Sequence, residues 1–136
     1  MVNYENDYEY GEEQEQKVFK ILEEGFEWDT PLKKGTRYSK YDYYNDDTNI
    51  ELKSRKNKYK TYPTTMITMN KLATDKELIL VFNFLDGVYF IQYDNETFRN
   101  FEVKHFSRAG LMGDEKKHVY IPIEKLELLH MAIKVR

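Results

Sequence analysis

The sequence predicts an α/β sandwich built on a mixed sheet, and three stretches carry that expectation. Residues 11–24 place Val18, Phe19 and Leu22 at helical spacing behind a run of acids, the pattern of an amphipathic helix. Leu78-Ile-Leu-Val-Phe-Asn-Phe-Leu85 is a nearly continuous apolar run, as expected of a central strand buried on both faces. Between them, residues 36–54 read as two strand-like runs around the turn formers Asn45-Asp46-Asp47-Thr48-Asn49. The resulting order of helix, strands, helix, strands, helix favours a mixed-sheet sandwich over a doubly wound parallel sheet.

Taken in order, residues 1–9 are polar and tyrosine-rich and are expected to fray. The first helix runs from Gly11 to Glu24, with acids in its opening turns, where the helix dipole favours them, and Gly25 as its stop. Trp28–Gly35 is a connection or short edge strand broken by Pro31, and the hairpin of 36–54 follows. Tyr62-Pro63-Thr64-Thr65 reads as the start of a second helix over 64–73. Asp86-Gly87 is a two-residue turn from the apolar strand into Val88–Tyr93. Strands are expected at 101–106 and 119–121, a glycine-containing loop at 107–117, and a last helix from Pro122 to about Ala132. With no internal repeat or low-complexity linker, residues 1–136 read as one domain.

Composition narrows the function classes. The absence of cysteine excludes disulfides and thiolate zinc sites and makes a reducing, cytoplasmic compartment the expectation. No apolar run approaches the roughly 18–20 residues of a membrane span, and the acidic N-terminus is unlike a signal peptide. His105, His118 and His130 are scattered without metal-ligand spacing, and neither a phosphate-cradling glycine loop nor a GxSxG elbow is present. The net charge of −3 hides an asymmetry, because residues 1–30 hold ten acids against two bases. The remainder is net basic and peaks at Lys53-Ser-Arg55-Lys56-Asn-Lys58-Tyr-Lys60, five bases in eight positions, so a polyanionic partner is compatible with the charge.

The chemistry concentrates in residues 36–53. Period 2 along a strand puts Glu51 and Lys53 on one face and Ile50 and Leu52 on the other, while a hairpin brings Asp42 across from Glu51. Glu15 lies three residues before Val18 and seven before Leu22, on the stripe that faces the sheet, whereas Glu13 and Gln16 look outward. An unpaired carboxylate in that position needs a cation. Two or three carboxylates, with the backbone carbonyl of Leu52, form an oxygen donor set for a hard divalent ion, and a lysine one pleat away can orient water or offset charge on a phosphate. Asp46 and Asp47 rival Asp42 but fall at the hairpin tip, and Glu12 rivals Glu15 one turn earlier.

Tyr41-Asp42, followed after eight residues by Glu51-Leu52-Lys53, resembles the half-motifs of the PD-(D/E)xK nuclease superfamily, which includes restriction endonucleases, Mrr-type nucleases and Holliday-junction resolvases. Glu15-Gln-Lys-Val18 with Leu22 and Gly25 resembles the first helix of the resolvase and Mrr types. The likeness covers roughly residues 11–85 and departs from the motif at Tyr41, where the superfamily's name has proline. It implies a restriction-endonuclease-like three-layer sandwich, a central mixed sheet flanked by helices. It also implies a Mg²⁺- or Mn²⁺-dependent nuclease with Asp42, Glu51 and Glu15 as ligands and Lys53 as catalytic lysine. Leu52 joins the metal set through its carbonyl.

Arg55, Lys56, Lys58 and Lys60 are then candidates to grip phosphates, Tyr59 and Tyr62 to stack on an unpaired nucleotide, and Lys71 to face the same groove. DNA is favoured over RNA, no membrane partner is expected, and a homodimer would supply two sites for two strands. The competing class is a non-catalytic nucleic-acid- or protein-binding module on a nuclease-like fold.

Overall fold

In the computed structural model, which describes residues 4–106 and 116–131, the chain opens with helix α1 (Tyr4–Gly25), so residues 4–9 belong to the helix rather than to a frayed end. Val18 and Leu22 are fully buried on its inner stripe. Its C-terminal end is closed by Trp28, whose indole N–H donates to the Leu22 carbonyl at 2.9 Å, satisfying one of the carbonyls a helix end leaves unpaired.

Among the described residues nine strands follow: β1 (Lys33–Lys34), β2 (Tyr43–Tyr44), β3 (Thr48–Ser54), β4 (Thr64–Thr68), β5 (Glu77–Phe84), β6 (Gly87–Gln92), β7 (Glu102–Phe106), β8 (Lys116–Pro122) and β9 (Glu127–Met131). A one-turn helix α2 (Asn95–Phe98) sits between β6 and β7, capped by the Asp94 side chain. The main sheet has the order β1-β2-β3-β5-β6-β9. It is mixed, because β3 and β5 run parallel with Glu51 opposite Leu80 and Lys53 opposite Phe82, while its other pairs are antiparallel. A second, antiparallel sheet has the order β4-β8-β7.

Alternation along β5 divides the core between the two faces. Ile79 and Val81, with Ile50 and Leu52 of β3, meet Val18 and Leu22 of α1. Leu78, Leu80, Phe82 and Phe84 meet Ile67, Val119 and Ile121 of the small sheet and Phe98 of α2. The layers are therefore helix, mixed sheet, second sheet. The mixed sheet is not flanked by helices on both faces as expected: the small sheet, with the one-turn α2, covers the face opposite α1. Leu80 is fully buried between two layers, so Leu80→Ala is expected to cost about 2–5 kcal/mol in urea denaturation with the slope unchanged.

Three further expectations fail, each for a physical reason. The hairpin of 36–54 is paired only at Tyr43–Tyr44 with Asn49–Ile50, because Thr36 and Ser39 satisfy the backbone locally. Ser39 Oγ accepts from Thr36 N at 3.0 Å, and Ser39 N donates to the Thr36 carbonyl at 3.0 Å. The second helix over 64–73 is instead β4 and a single 3₁₀ turn at Met69–Leu72, since Thr65 and Ile67 alternate inward and the β-branched run fits a pleated sheet. The last helix from Pro122 is a 3₁₀ turn at Ile123–Lys125 followed by β9, which covers the edge of β6 that would otherwise stay unpaired. The loop expected at 107–117 lies outside the described residues except at Lys116 and Lys117, which begin β8. Among the described residues no helix is long and apolar enough to cross a membrane.

Candidate active site

Asp42 stands where the ladder between β2 and β3 gives out. Its backbone N–H still donates to the Ile50 carbonyl at 3.1 Å, and its carboxylate then takes the place of the missing strand, with Oδ2 accepting the Leu52 N–H at 2.7 Å. The side chain is thereby held beside β3. A strand residue presents its N–H and C=O to the same edge, so the Leu52 carbonyl opens on the edge that Asp42 caps. Behind Asp42, Gly35 donates to its carbonyl at 2.7 Å. A Cβ at Gly35 would fall 2.5 Å from the Tyr41 carbonyl oxygen, so only glycine permits this approach.

Glu51 projects from the face of β3 away from α1 and is 4% exposed. Its carboxyl adjoins that of Asp42, close enough for the two to interact when one carries a proton. Lys53 Nζ lies 3.4 Å and Lys71 Nζ 3.5 Å from the same oxygen, Glu51 Oε2. Burial first, and the Asp42 charge second, push the Glu51 pKa up to about 7, although Lys53 and Lys71 both pull it down. Two like charges compete in a nearly dry place, and two lysines do not fully neutralise them.

Lys71 was expected on a helix and stands on the 3₁₀ turn instead. Besides Glu51, its ammonium donates to the Lys40 carbonyl and lies 5.8 Å from the centre of the Tyr41 ring. The Tyr41 hydroxyl donates to the Lys71 carbonyl at 2.7 Å, and Lys40 Nζ donates to the Ala73 carbonyl at 2.6 Å. These bonds latch the loop before Asp42 to the crossover between β3 and β5.

Glu15 comes from the opposite face. It is about one-third exposed and pairs with Lys34 at 3.5 Å rather than with Glu51. It does line one cleft of about 530 Å³ with Asp42, Lys34 and Arg37. Tyr43, whose hydroxyl donates to the Glu15 carbonyl at 2.5 Å, is kept protonated by burial and by the charges of Glu15 and then Asp42. Asp46 and Asp47 are exposed at the turn, which the buried Asn45 closes by accepting from Asp47 N and Thr48 N at 2.9 and 2.8 Å.

Among the described residues no three His, Cys, Asp or Glu side chains gather as a ready metal cage. Asp42 and Glu51 nevertheless fit a hard divalent ion. They are two adjoining carboxylates beside an outward carbonyl, an all-oxygen donor set.

The basic stretch after β3 divides. Lys58 and Lys60 are exposed, and Lys56 lies 5.5 Å from the centre of the Tyr10 ring. Arg55 is partly buried, donating to the Met66 carbonyl at 2.6 Å and to Thr65 Oγ1 at 3.3 Å, and burial lowers its pKa. Tyr59 stacks on Tyr89 at 3.9 Å and donates its hydroxyl to the Ile123 carbonyl at 2.6 Å, so one of its faces is already covered. Sequence reasoning did not single out Lys34, Arg37 or Lys40 around Asp42, nor the latch role of Tyr41. The available signal was the density of bases in Lys33-Lys-Gly-Thr-Arg-Tyr-Ser-Lys40 immediately before the aspartate.

No family model, curated protein or solved structure matches the chain.

Proposed function

We propose that this protein is a Mg²⁺- or Mn²⁺-dependent nuclease of restriction-endonuclease-like fold that hydrolyses phosphodiester bonds, acting as an endonuclease on DNA. The observation that carries the reading is the buried Glu51 carboxyl beside the partly exposed Asp42, with Lys53 one pleat away. The fold supports it through α1 packed beneath a hairpin whose second strand runs parallel to β5. It departs from the resembled pattern in more than the Tyr41 position. The crossover from β3 to β5 carries β4 and a 3₁₀ turn instead of an α-helix, a second sheet covers the face that helices were expected to flank, and Glu15 pairs with Lys34 on the face opposite Glu51.

A divalent ion held by Asp42, Glu51 and the Leu52 carbonyl would supply Lewis-acid polarisation of a phosphoryl oxygen. The chain's own groups do the rest. Asp42 and Glu51 provide the negative charge that such an ion neutralises. Lys53, about one-third exposed, presents an ammonium that can orient the attacking water and offset charge developing on the phosphate. Lys71 holds Glu51 from the other side and keeps its carboxyl poised to ionise. Lys34, Arg37 and Lys40, with Lys58 and Lys60 beyond β3, supply attraction for a polyanion.

Incubation with supercoiled plasmid, a branched junction, single-stranded DNA and RNA tests the reading. Nicking or linearisation of DNA in Mn²⁺ or Mg²⁺, and none in EDTA, is expected. Binding without cleavage of any substrate in either ion would instead support the non-catalytic module.

A further inference from the structure

We infer that the cleft at the far end of β3 receives an unpaired nucleobase, so that the substrate strand is single-stranded or frayed there; this rests on the nuclease reading and extends it to substrate class. The cleft encloses about 350 Å³, within the range of small-ligand pockets, and Arg55, Tyr59, Tyr62, Thr65, Phe84 and Tyr120 are among its lining residues. Its aromatic walls are rigid where they need to be. Tyr59 is fixed by its parallel stack on Tyr89 and its bond to the Ile123 carbonyl, and it meets Phe84 edge-on with ring centres 5.8 Å apart. Tyr62, by contrast, is 60% exposed and offers a ring at the edge of the cleft.

Arg55 supplies the polar character. Its Nε and Nη2 are tied to Thr65 and Met66, which fixes the guanidinium plane, and among the described residues no carboxylate pairs with it. A partly buried cation without a counter-anion, set among aromatic rings, selects a flat π-system that carries hydrogen-bond acceptors and is linked to an anion. A nucleobase on a phosphate chain meets all three conditions.

Position strengthens the assignment. Glu51, Lys53 and Arg55 alternate onto one side of the same extended segment, and Arg55 N donates to the Asn83 carbonyl at 2.8 Å, continuing the β3–β5 ladder past Ser54. At about 3.3 Å per residue, Arg55 lies roughly 13 Å from Glu51 along the strand. A nucleic-acid strand with a phosphate at Lys53 therefore reaches the cleft a few nucleotides further on, with the exposed Lys58 and Lys60 nearby. A base still paired in a duplex cannot enter the cleft.

The test uses the full-length chain in EDTA, where cleavage is suppressed, with oligonucleotides carrying 2-aminopurine at successive positions. Quenching by stacking at one position is expected in single strands and not in blunt duplexes of the same length. Tyr62→Ala should remove that quenching and weaken single-strand binding about tenfold, leaving duplex affinity within about twofold, and Tyr62→Phe should restore both. Unquenched binding at every position, or quenching that Tyr62→Ala leaves intact, would overturn the cleft while metal-dependent cleavage still upheld the nuclease reading. Failure to bind any nucleic acid would overturn both.

Discussion

Glu51→Gln is expected to reduce metal-dependent cleavage by at least about 10²-fold and, in metal-free protein at pH 8, to raise the melting temperature. The two effects have one origin. Glu51 is buried beside Asp42, and its pKa stands at about 7 in the folded chain against an ordinary value of 4.5. Between those two pH values the folded state binds more protons than the unfolded state, so stability falls as pH rises through the window and stays low above it. The full difference corresponds to about 3 kcal/mol, an upper bound because Lys53 and Lys71 lose a partner when the charge is removed. Glutamine keeps the shape and can still hydrogen-bond to Asp42, so the variant should gain stability over wild type at pH 8 and gain little at pH 5. Added Mn²⁺ should stabilise wild type and leave the variant nearly unmoved. Melting curves at both pH values, with and without Mn²⁺, check this. A variant that is less stable than wild type at pH 8 and still cleaves would make Glu51 a structural anchor for the two lysines rather than part of a metal site.

What the sequence made legible followed from local periodicity. The stripe of Val18 and Leu22, the apolar run of β5 and the turn chemistry at Asn45 each fix their own neighbourhood, and alternation along β3 separates Glu51 and Lys53 from Ile50 and Leu52. The misread elements are those decided by distant partners. Thr64–Thr68 carries a proline signal for a helix start, but its inward Thr65 and Ile67 gain more by pairing β4 with β8, some fifty residues away. Glu127–Met131 is rich in helix formers, yet the open edge of β6 takes it as a strand. The candidate site divides along the same line. Asp42 and Glu51 meet because a short turn brings them together. Lys71 arrives from an element eighteen residues beyond Lys53, and its contact with Glu51 is a consequence of topology. A crossover between the parallel strands β3 and β5 must return across one face of the sheet, and here it returns over the face that carries Glu51. Glu15 shows the reverse: its helical stripe was read correctly, but the stripe packs on the face opposite Glu51, and Lys34 answers its charge.

Lys53→Ala and Lys71→Ala should separate two lysines that touch the same carboxylate oxygen. Lys53 reaches Glu51 Oε2 at 3.4 Å, is 37% exposed and has Glu51 as its ion-pair partner among the described residues. Its amine is therefore available to a substrate. Lys71 reaches the same oxygen at 3.5 Å, is 24% exposed, donates to the Lys40 carbonyl and lies against the Tyr41 ring, so its ammonium already serves as a latch. Under the proposed reading, Lys53→Ala removes charge stabilisation from the reaction itself. Lys53 also lowers the Glu51 pKa, but ionising Glu51 at higher pH does not return the lost ammonium to the reaction. Activity should therefore fall by about 10²–10⁴-fold and stay low even at alkaline pH, with the fold intact. Lys71→Ala removes a cation that lowers the Glu51 pKa, so the carboxyl ionises only at higher pH. Its activity should be depressed most at neutral pH and recover toward alkaline pH, and its melting temperature should drop as the loop before Asp42 comes loose from the crossover. Lys71→Arg should recover part of the stability by restoring the charge. Cleavage rates from pH 6 to 9, paired with thermal melts, distinguish the two variants. If Lys71→Ala were inactive across the whole range with its fold intact, and Lys53→Ala merely shifted the profile, the roles assigned to the two lysines would be exchanged.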